Sequence, residues 1–389
     1  MVKKQLLFCL LLFAICSAAA ADNKLTIETN ISTTALQTRN ANTGDKYWGG
    51  IFTGYSDLSF KSSGSRNVKA DLAFTLTSGS IYDSPVINLN RAYIKARFPV
   101  FRVTAGKTRL SWGDGFVFNS ADVLFGSTGT NINLTDSEIR TETDWLVAVN
   151  VPIGSFSFIE GVIMAPDVDT IEGYYFGQIN KVSAGARFYT KLGSVKLEGG
   201  YFFDQSTGTD DVDFYHKPYI ALQGNLFLDW YLSSSLGLST TDNIEEDFEE
   251  NLNISGGLFY LLPINSISSM TFRLEALYRP FQNWSEIDRT TTEEEPEYAL
   301  LLYPEITYSP IDTLNISTRA VVSPVDGSAM LAAGCSWNIF EGFDLSLYTI
   351  ANIGDGSDTF SWNRDEDLWS TTDDVIDCGA VVISINYIY

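Results

Sequence analysis

Six cationic side chains stand close together in the first third of the chain, between residues 91 and 109. They are Arg91, Lys95, Arg97, Arg102, Lys107 and Arg109. No Asp or Glu lies among them, although the whole chain carries a net charge of −23. A series of positive charges along a polar wall attracts anions and can guide them through a channel. The cluster therefore indicates a basic channel wall.

The same cations also have a purely structural interpretation. They could pair with acids in other polar-facing positions, such as Asp71, Glu198 and Glu275. Such pairs would stiffen the wall without serving any solute, because each charge would then be neutralised locally. The sequence leaves both interpretations open.

Alternation predicts which way the first of these side chains point. In the interval 88–98, Arg91, Lys95 and Arg97 share one face, while apolar residues occupy the other, which is the period of a β-strand. A charge on the lipid face of a membrane strand costs about 2–4 kcal/mol at the midplane. We therefore expect the basic face to line a polar interior.

The next interval, 100–111, breaks this simple rule. Arg102 has the opposite parity to Lys107 and Arg109, so a regular strand would send them to opposite faces. A bulge near Gly106 would bring all three to the same side, because an extra residue reverses the alternation. We expect such a bulge.

The longest stretch without strand-like alternation, residues 112–141, follows the cations directly. Its first half is rich in apolar and aromatic side chains. A connection this long and apolar should not extend into water. We predict that it folds into the interior as a constriction or plug. The residues expected to form the constriction are Trp112, Asp114, Phe116, Asn119 and Asp122.

Enzymatic chemistry has little support in this sequence. The single histidine, His216, follows Asp210, Asp211 and Asp213, but no serine nucleophile is indicated beside it. The acids around Asp355 do not have the spacing of a calcium loop. We therefore predict no enzyme activity, no metal site and no cofactor.

Strand-like alternation recurs along nearly the whole chain and defines the elements that must position these residues. One example is 66–79, and another is 268–279. We count about eighteen such segments of roughly ten residues, the length that a tilted strand needs to cross a bilayer. Sixteen strands are possible, because Pro304 interrupts the segment 298–308 and requires a bulge or another strand boundary there.

The connections between these segments sort into two sets. Every second one is long, as at 80–87, and the others are tight turns, as at 192–194. A soluble β-sandwich shares the alternation but does not segregate its loops in this way. Long loops on one rim and tight turns on the other are typical of bacterial outer-membrane barrels. The prediction is an all-β, transmembrane, antiparallel up-and-down β-barrel over residues 22–389.

Both ends of the chain agree with export and membrane insertion. Residues 1–21 combine Lys3 and Lys4 with an apolar run and four alanines, which predicts a secretory signal peptide. The last nine residues, VVISINYIY, alternate and are strongly apolar. They resemble the terminal strand of outer-membrane barrel proteins. This resemblance implies that the barrel assembly machinery reads Tyr387 and Tyr389, and that the last strand closes against the first near Leu25.

A second resemblance concerns residues 91–126. The runs RAYIKARF and GKTRLSWGDGFVFNSADVL resemble a segment of alginate-export-type and related outer-membrane barrels, in which a basic pore-facing strand leads into a Trp-Gly-x-Gly turn. The resemblance implies passive passage of an anionic or carboxylated solute. The rest of the chain resembles outer-membrane porins in architecture.

The acids of the chain concentrate in the long connections. Four stretches, 204–213, 242–250, 281–297 and 353–374, hold 23 of the 48 Asp and Glu residues. Nucleic acid is not expected as a partner of so acidic a chain. We predict an outer-membrane porin-like channel, monomeric or trimeric, in which small anionic solutes diffuse past a basic wall. The alternative is a surface barrel with a closed lumen, whose acidic loops act as an adhesin or in a structural role.

Overall fold

A computed structural model describes most of the chain. The described residues are 24–40, 46–62, 67–80, 84–129, 132–135, 139–166, 168–171, 174–177, 182–205, 215–239, 244–285, 298–354, 358–360 and 375–388. The predicted signal peptide, 1–21, and Tyr389 lie outside these ranges.

Strands make up nearly all of the regular structure. They are β1 Lys24–Asn40, β2 Lys46–Lys61, β3 Val68–Gly79, β4 Val86–Arg97, β5 Arg102–Thr108, β6 Asp144–Pro152, β7 Ser157–Met164, β8 Val168–Ile171, β9 Tyr174–Gly177, β10 Ser183–Leu192, β11 Val195–Asp204, β12 Tyr215–Asn225, β13 Asp229–Leu236, β14 Leu252–Pro263, β15 Ser269–Tyr278, β16 Leu300–Ile311, β17 Leu314–Ser323, β18 Ser328–Phe340, β19 Phe343–Ile353 and β20 Val375–Ile388. One helix, α1, spans Ile244–Asn251. No helix among the described residues is long and apolar enough to cross a membrane.

Eighteen of the strands form one closed antiparallel barrel. Each pairs with its neighbours in sequence, and β7 pairs with β10 because β8 and β9 form a separate two-stranded sheet. The last strand closes the barrel against the first, with Ile385 opposite Ile31 and Ile388 opposite Glu28. The predicted barrel of 18 strands is therefore confirmed, and the alternative of 16 is wrong.

The two rims differ in the length of their connections. Strands β10 and β11 are joined by residues 193–194, and β18 and β19 by residues 341–342. On the other rim, residues 109–143 join β5 to β6, and residues 279–299 join β15 to β16. The described connections thus show the segregation that the sequence predicts for this class of barrel.

Side chains alternate between the two faces of the barrel wall. On β15, Phe272 and Leu274 point outward, and Leu274 is 46% exposed. Their neighbours Arg273 and Glu275 point inward, and Glu275 is only 2% exposed. An apolar exterior around a polar interior is the arrangement of barrels that span a lipid bilayer.

Pro304 does not introduce the bulge that the sequence suggests. It lies inside β16 opposite Leu274 of β15. Pairing with β17 lapses at Tyr303 and Pro304 and resumes at Glu305 in the same register. The missing N–H therefore leaves a gap in one ladder without shifting it, and the register shift of this strand pair comes later, after Tyr308.

The apolar core lies inside the barrel, between the wall and residues 109–143, here called the inner segment. One buried cluster joins Trp112 and Leu124 of the inner segment to side chains of β6, β7, β11 and β12. A second cluster joins Val117, Phe118 and Leu134 to side chains of β15–β18. The inner segment thus packs on a large part of the inner wall, as its apolar composition requires.

Candidate functional site

A cavity of about 1970 Å³ occupies the part of the barrel interior that the inner segment leaves open. Its wall comes from β1–β5 and β15–β20, and the inner segment forms its remaining side. Six cationic side chains border it: Lys61, Arg91, Lys107, Arg109, Arg140 and Arg319. Four acidic side chains border it as well: Glu28, Asp57, Glu142 and Asp344. The cavity surface is otherwise mostly uncharged and polar.

Three of the six cations singled out in the sequence border this cavity. They are Arg91, Lys107 and Arg109. The other three lie toward the tight-turn rim, where Arg97 stands directly opposite Arg102 at the start of the turn 98–101. Lys95 is exposed, with its ammonium 4.9 Å from the centre of the Tyr93 ring. The cluster therefore divides into a cavity group and a rim group.

Gly106 lies directly before the cavity residue Lys107 and has an unusual backbone conformation. Its φ is 127°, a backbone conformation that side chains rarely allow. A Cβ at this position would lie 2.1 Å from the carbonyl oxygen of Ala92. The pairing of β5 with β4 and β6 shows no register shift here, so the expected bulge is absent.

The cavity cations differ in their charge balance. Arg109 pairs with Asp122 and with Glu142, at 2.6 Å from the latter, and also donates to Ser127. Among the described residues, Arg91 and Lys107 take part in no ion pair. They border the cavity without a counter-charge from that part of the chain.

The acids proposed as structural partners of the cluster are engaged elsewhere. Glu198 pairs with Arg187 at 3.1 Å. Glu275 accepts backbone N–H groups of the inner segment. Asp71 accepts from the Tyr93 hydroxyl at 3.4 Å. Stiffening of the wall by ion pairs therefore accounts for Arg109 alone within the described cluster.

Hydroxyl groups dominate another part of the cavity wall. One row crosses five neighbouring strands, with each residue directly opposite the next: Ser336, Ser346, Ser384, Ser32 and Thr53. Hydroxyls within the row bond to each other at two places, between Ser346 and Ser336 at 3.1 Å and between Ser32 and Thr53 at 2.7 Å. Such a wall offers donors and acceptors without net charge.

The beginning of the inner segment is fixed by a buried aromatic residue. Trp112 is 0% exposed, and its indole Nε1 donates to Glu160 at 3.2 Å. Its ring stacks on Tyr219, with centroids 5.5 Å apart. Arg187 lies beside the ring and pairs with both Glu160, at 2.8 Å, and Glu198. Trp112 is thus anchored on the wall away from the cavity.

Three wall side chains bind the backbone of residues 116–120. Glu275 accepts the N–H groups of three consecutive residues, 116–118, at 2.8 to 3.0 Å. Ser255 accepts the N–H of Ser120 at 2.8 Å, and the Tyr231 hydroxyl donates to the carbonyl of Phe118 at 2.7 Å. The polar backbone groups of this stretch are therefore satisfied although they are buried.

The other predicted constriction residues have different surroundings. Asn119 donates to the carbonyl of Trp112 at 2.9 Å and accepts from the N–H of Ala121, so it closes a local turn. Asp122 is buried and pairs with Arg109. Asp114 is half-buried. None of the five constriction residues is among those that border the cavity.

Arg140 and Arg319 are cavity residues that the sequence reasoning did not single out. Arg140 donates to the carbonyl of Val117 at 2.8 Å and to that of Gly129 at 3.1 Å. Arg319 binds Glu305 at 3.1 Å and the carbonyl of Leu134 at 3.2 Å. The polar face of the alternating segment 312–322 contains Arg319, so its inward direction could have been found.

Residues 358–360 also take part in the apolar packing around the inner segment. Phe360 is buried in the same apolar cluster as Phe118. Asp326, in the connection between β17 and β18, accepts from both the N–H and the hydroxyl of Thr359. Burial raises the pKa of Asp326, but the hydrogen bonds from Thr359 and Ser328 outweigh it and hold that pKa below its usual value.

Neither a metal site nor a catalytic group emerges from the part of the chain described. No group of three or more His, Cys, Asp or Glu residues in that part could hold a metal ion. His216 bonds to the Tyr201 hydroxyl and packs on Phe203. The acids that precede it in sequence lie outside the described residues.

Comparison with known proteins identifies the fold. No protein-family model matches the chain, and no curated protein sequence matches it. Solved structures, in contrast, do match the chain. OccAB4 of Acinetobacter baumannii is 11% identical, with a TM-score of 0.52 over 94% of this chain and 98% of that one. OpdQ of Pseudomonas aeruginosa is 9% identical, with a TM-score of 0.54 over 96% and 99%. OccK3 of the same organism is 9% identical, with a TM-score of 0.54 over 96% and 97%.

These neighbours are outer-membrane porins with 18-stranded barrels. At such low identity the likeness shows the fold alone. The comparisons do not support the resemblance of residues 91–126 to alginate-export-type barrels.

Proposed function

We propose that the protein is an outer-membrane channel through which small anionic solutes diffuse passively. The observation that carries this proposal is that two cavity cations from the cluster at residues 91–109, Arg91 and Lys107, have no ion-pair partner among the described residues. Charges of one sign on a wall of low dielectric concentrate ions of the other sign and speed their entry. The likeness in fold to porins supports the channel function itself.

The inner segment is the proposed constriction. It packs on the wall from β6 round to β18 and leaves the cavity beside β1–β5 and β15–β20. A solute that crosses the barrel would therefore pass between the inner segment and the basic side chains of β4 and β5. Trp112, Phe116 and Asn119 act in this proposal by holding the segment in place, while Arg91 and Lys107 contact the solute.

The proposed setting is the bacterial outer membrane. The signal peptide at 1–21 would direct export, and residues 22–389 would form the barrel. Apolar residues of the exterior, such as Ile163 and Ile220, would contact lipid. The assembly machinery would recognise the last strand through Tyr387 and Tyr389, and the barrel would work as a monomer or a trimer.

A surface-binding function is the second candidate. The long connections carry much of the negative charge of the chain, and α1 alone contains five acids in eight residues. In this alternative the lumen stays closed and the acidic loops bind a host or matrix partner.

Planar-bilayer recordings separate the two candidates. The channel proposal expects discrete current steps from purified protein, and it expects a millimolar small carboxylate such as acetate to reduce the chloride current. A bilayer that contains folded protein without current steps would contradict the channel. Loss of cell adhesion after trimming of residues 286–297, in a protein that does not conduct, would support the adhesin instead.

A further inference from the structure

We propose that Glu275 is the positioning residue that holds the inner segment against the barrel wall and thereby sets the width of the open lumen. Its role in transport rests on the proposed channel function, but its binding of the segment does not. Glu275 lies on β15, and the segment residues that it binds are 157 to 159 positions away in sequence.

The geometry around Glu275 is that of an anion site made by the backbone. Oε1 accepts from the N–H of Phe116 at 2.9 Å. Oε2 accepts from the N–H of Val117 at 2.8 Å and of Phe118 at 3.0 Å. Three consecutive N–H groups that converge on one anion form a concave binding site. Here the anion is a carboxylate of the protein itself.

Glu275 is held by hydrogen bonds and by no ion pair in the described part of the chain, although it is 2% exposed. The neighbouring Arg273 binds Glu305 at 2.9 Å instead, and its guanidinium lies 3.9 Å from the centre of the Phe116 ring. A buried carboxylate is costly unless hydrogen bonds compensate it. The three N–H groups provide that compensation, so the carboxylate and the segment depend on each other.

The wall beside Glu275 is shaped to receive the segment. Gly257 stands opposite Glu275 on β14, and a Cβ there would lie 2.2 Å from the Tyr231 ring. The absence of a side chain lets Tyr231 lie along the wall, from where its hydroxyl reaches the carbonyl of Phe118. The same peptide stretch is thus held through its N–H groups by Glu275 and through a carbonyl by Tyr231.

A consequence distinguishes this role from ordinary packing. Removal of the carboxylate in Glu275→Ala leaves an unoccupied cradle of three N–H groups with room for a small anion. A free carboxylate such as acetate should occupy it and restore the attachment. Charge-assisted hydrogen bonds are strong enough that loss of even one should raise the detached fraction of the segment about tenfold.

Distance measurements between spin labels test this inference. Labels are placed on cysteines at Gly129 of the inner segment and Gly154 of a tight turn, since both glycines have open space for a side chain. Cys335 and Cys378 are replaced by serine. Folding is verified by the heat-dependent mobility of the barrel in gels. The full barrel with Asp344→Ala is the control, because Asp344 is a cavity carboxylate that bonds to Asn338 and not to the segment.

The expected result is a broadened and shifted distance distribution in Glu275→Ala, with its return toward the wild-type distribution in acetate but not in the same concentration of chloride. Asp344→Ala should keep the wild-type distribution. A wild-type distribution in Glu275→Ala, or an acetate effect no larger than that of chloride, would overturn the inference. If Glu275→Ala does not fold, Glu275→Gln serves, since its amide nitrogen cannot accept and at least one N–H loses its partner. An unchanged distribution in Glu275→Gln would then overturn the inference.

The two proposals fail in different ways. A shifted distribution in a protein that shows no anion preference would leave the role of Glu275 intact and contradict the proposed function. An anion-selective channel whose spin-label distance distribution does not respond to Glu275→Ala would support the proposed function and contradict the role of Glu275.

Discussion

The balance of charge at individual side chains separates the cations that can serve a solute from those that support the structure. Arg109 and Arg187 each bind two carboxylates, so little of their charge remains for a ligand. Arg91 and Lys107 border the cavity without an ion pair among the described residues. A basic residue in a channel therefore has to be judged by its partners and not by its sequence neighbourhood.

Gly106, directly before the cavity residue Lys107, has a φ that favours glycine, and this gives a prediction about stability. The change Gly106→Ala should destabilise the barrel by about 1–3 kcal/mol, because it forces a strained φ and a clash with the carbonyl of Ala92. The measurement is the urea concentration at which the barrel unfolds in lipid vesicles. Gly199→Ala is the control, since its Cβ would meet no atom closer than 3.8 Å. Equal unfolding midpoints for the two variants would show that the conformation of Gly106 is not required.

The start of the inner segment depends on strands β7, β10 and β11 together. Glu160, Arg187 and Glu198 come from these three strands and meet at Trp112 and Gly113. Two buried carboxylates share one guanidinium there. The segment is therefore attached by side chains that the barrel strands, and not the segment, bring together.

Removal of the shared cation should have a large effect on this element. We expect Arg187→Met to cost about 3–5 kcal/mol, because it leaves two buried carboxylates without a counter-charge. The loss of stability is measured as a decrease in the temperature at which the barrel changes from its folded to its unfolded mobility in gels. Lys196→Met is the matched control, since Lys196 is an inward cation of β11 that bonds to Gln223 and to no carboxylate. A similar shift for both variants would argue against the importance of the shared pair.

The strands could be predicted from the sequence because their signal is local. A side-chain period of two marks each membrane strand, and each tight turn limits its length. The β8–β9 sheet and α1 were missed, because both lie in connections where the sequence suggests only loops. The contacts of Glu275 with residues 116–118 could not be predicted, since no local pattern links positions so far apart.

The barrel as a complete unit has two unlike halves. The inner segment covers the wall from β6 to β14 and also packs on part of β15–β18, with apolar contacts and buried carboxylates. The half formed by β1–β5 and β15–β20 encloses the cavity, with hydroxyl rows on one part of its wall and cations on another. The basic wall of the cavity contrasts with the net charge of −23 on the whole chain. In the proposed channel, selectivity would come from the local field inside the barrel, since screening over about 8 Å weakens the influence of distant loop charges at physiological salt.

The reversal potential of single channels in a potassium chloride gradient tests whether this local field selects anions. We predict that the natural sequence gives a reversal potential of the sign expected for a channel that prefers chloride over potassium. Arg91→Glu should shift the reversal potential toward the value of a potassium-selective channel, and by more than Arg97→Glu does. The reason is that Arg91 borders the cavity, whereas Arg97 lies at the turn rim. A cation preference in the natural sequence, or equal potentials for the natural protein and Arg91→Glu, would contradict the account.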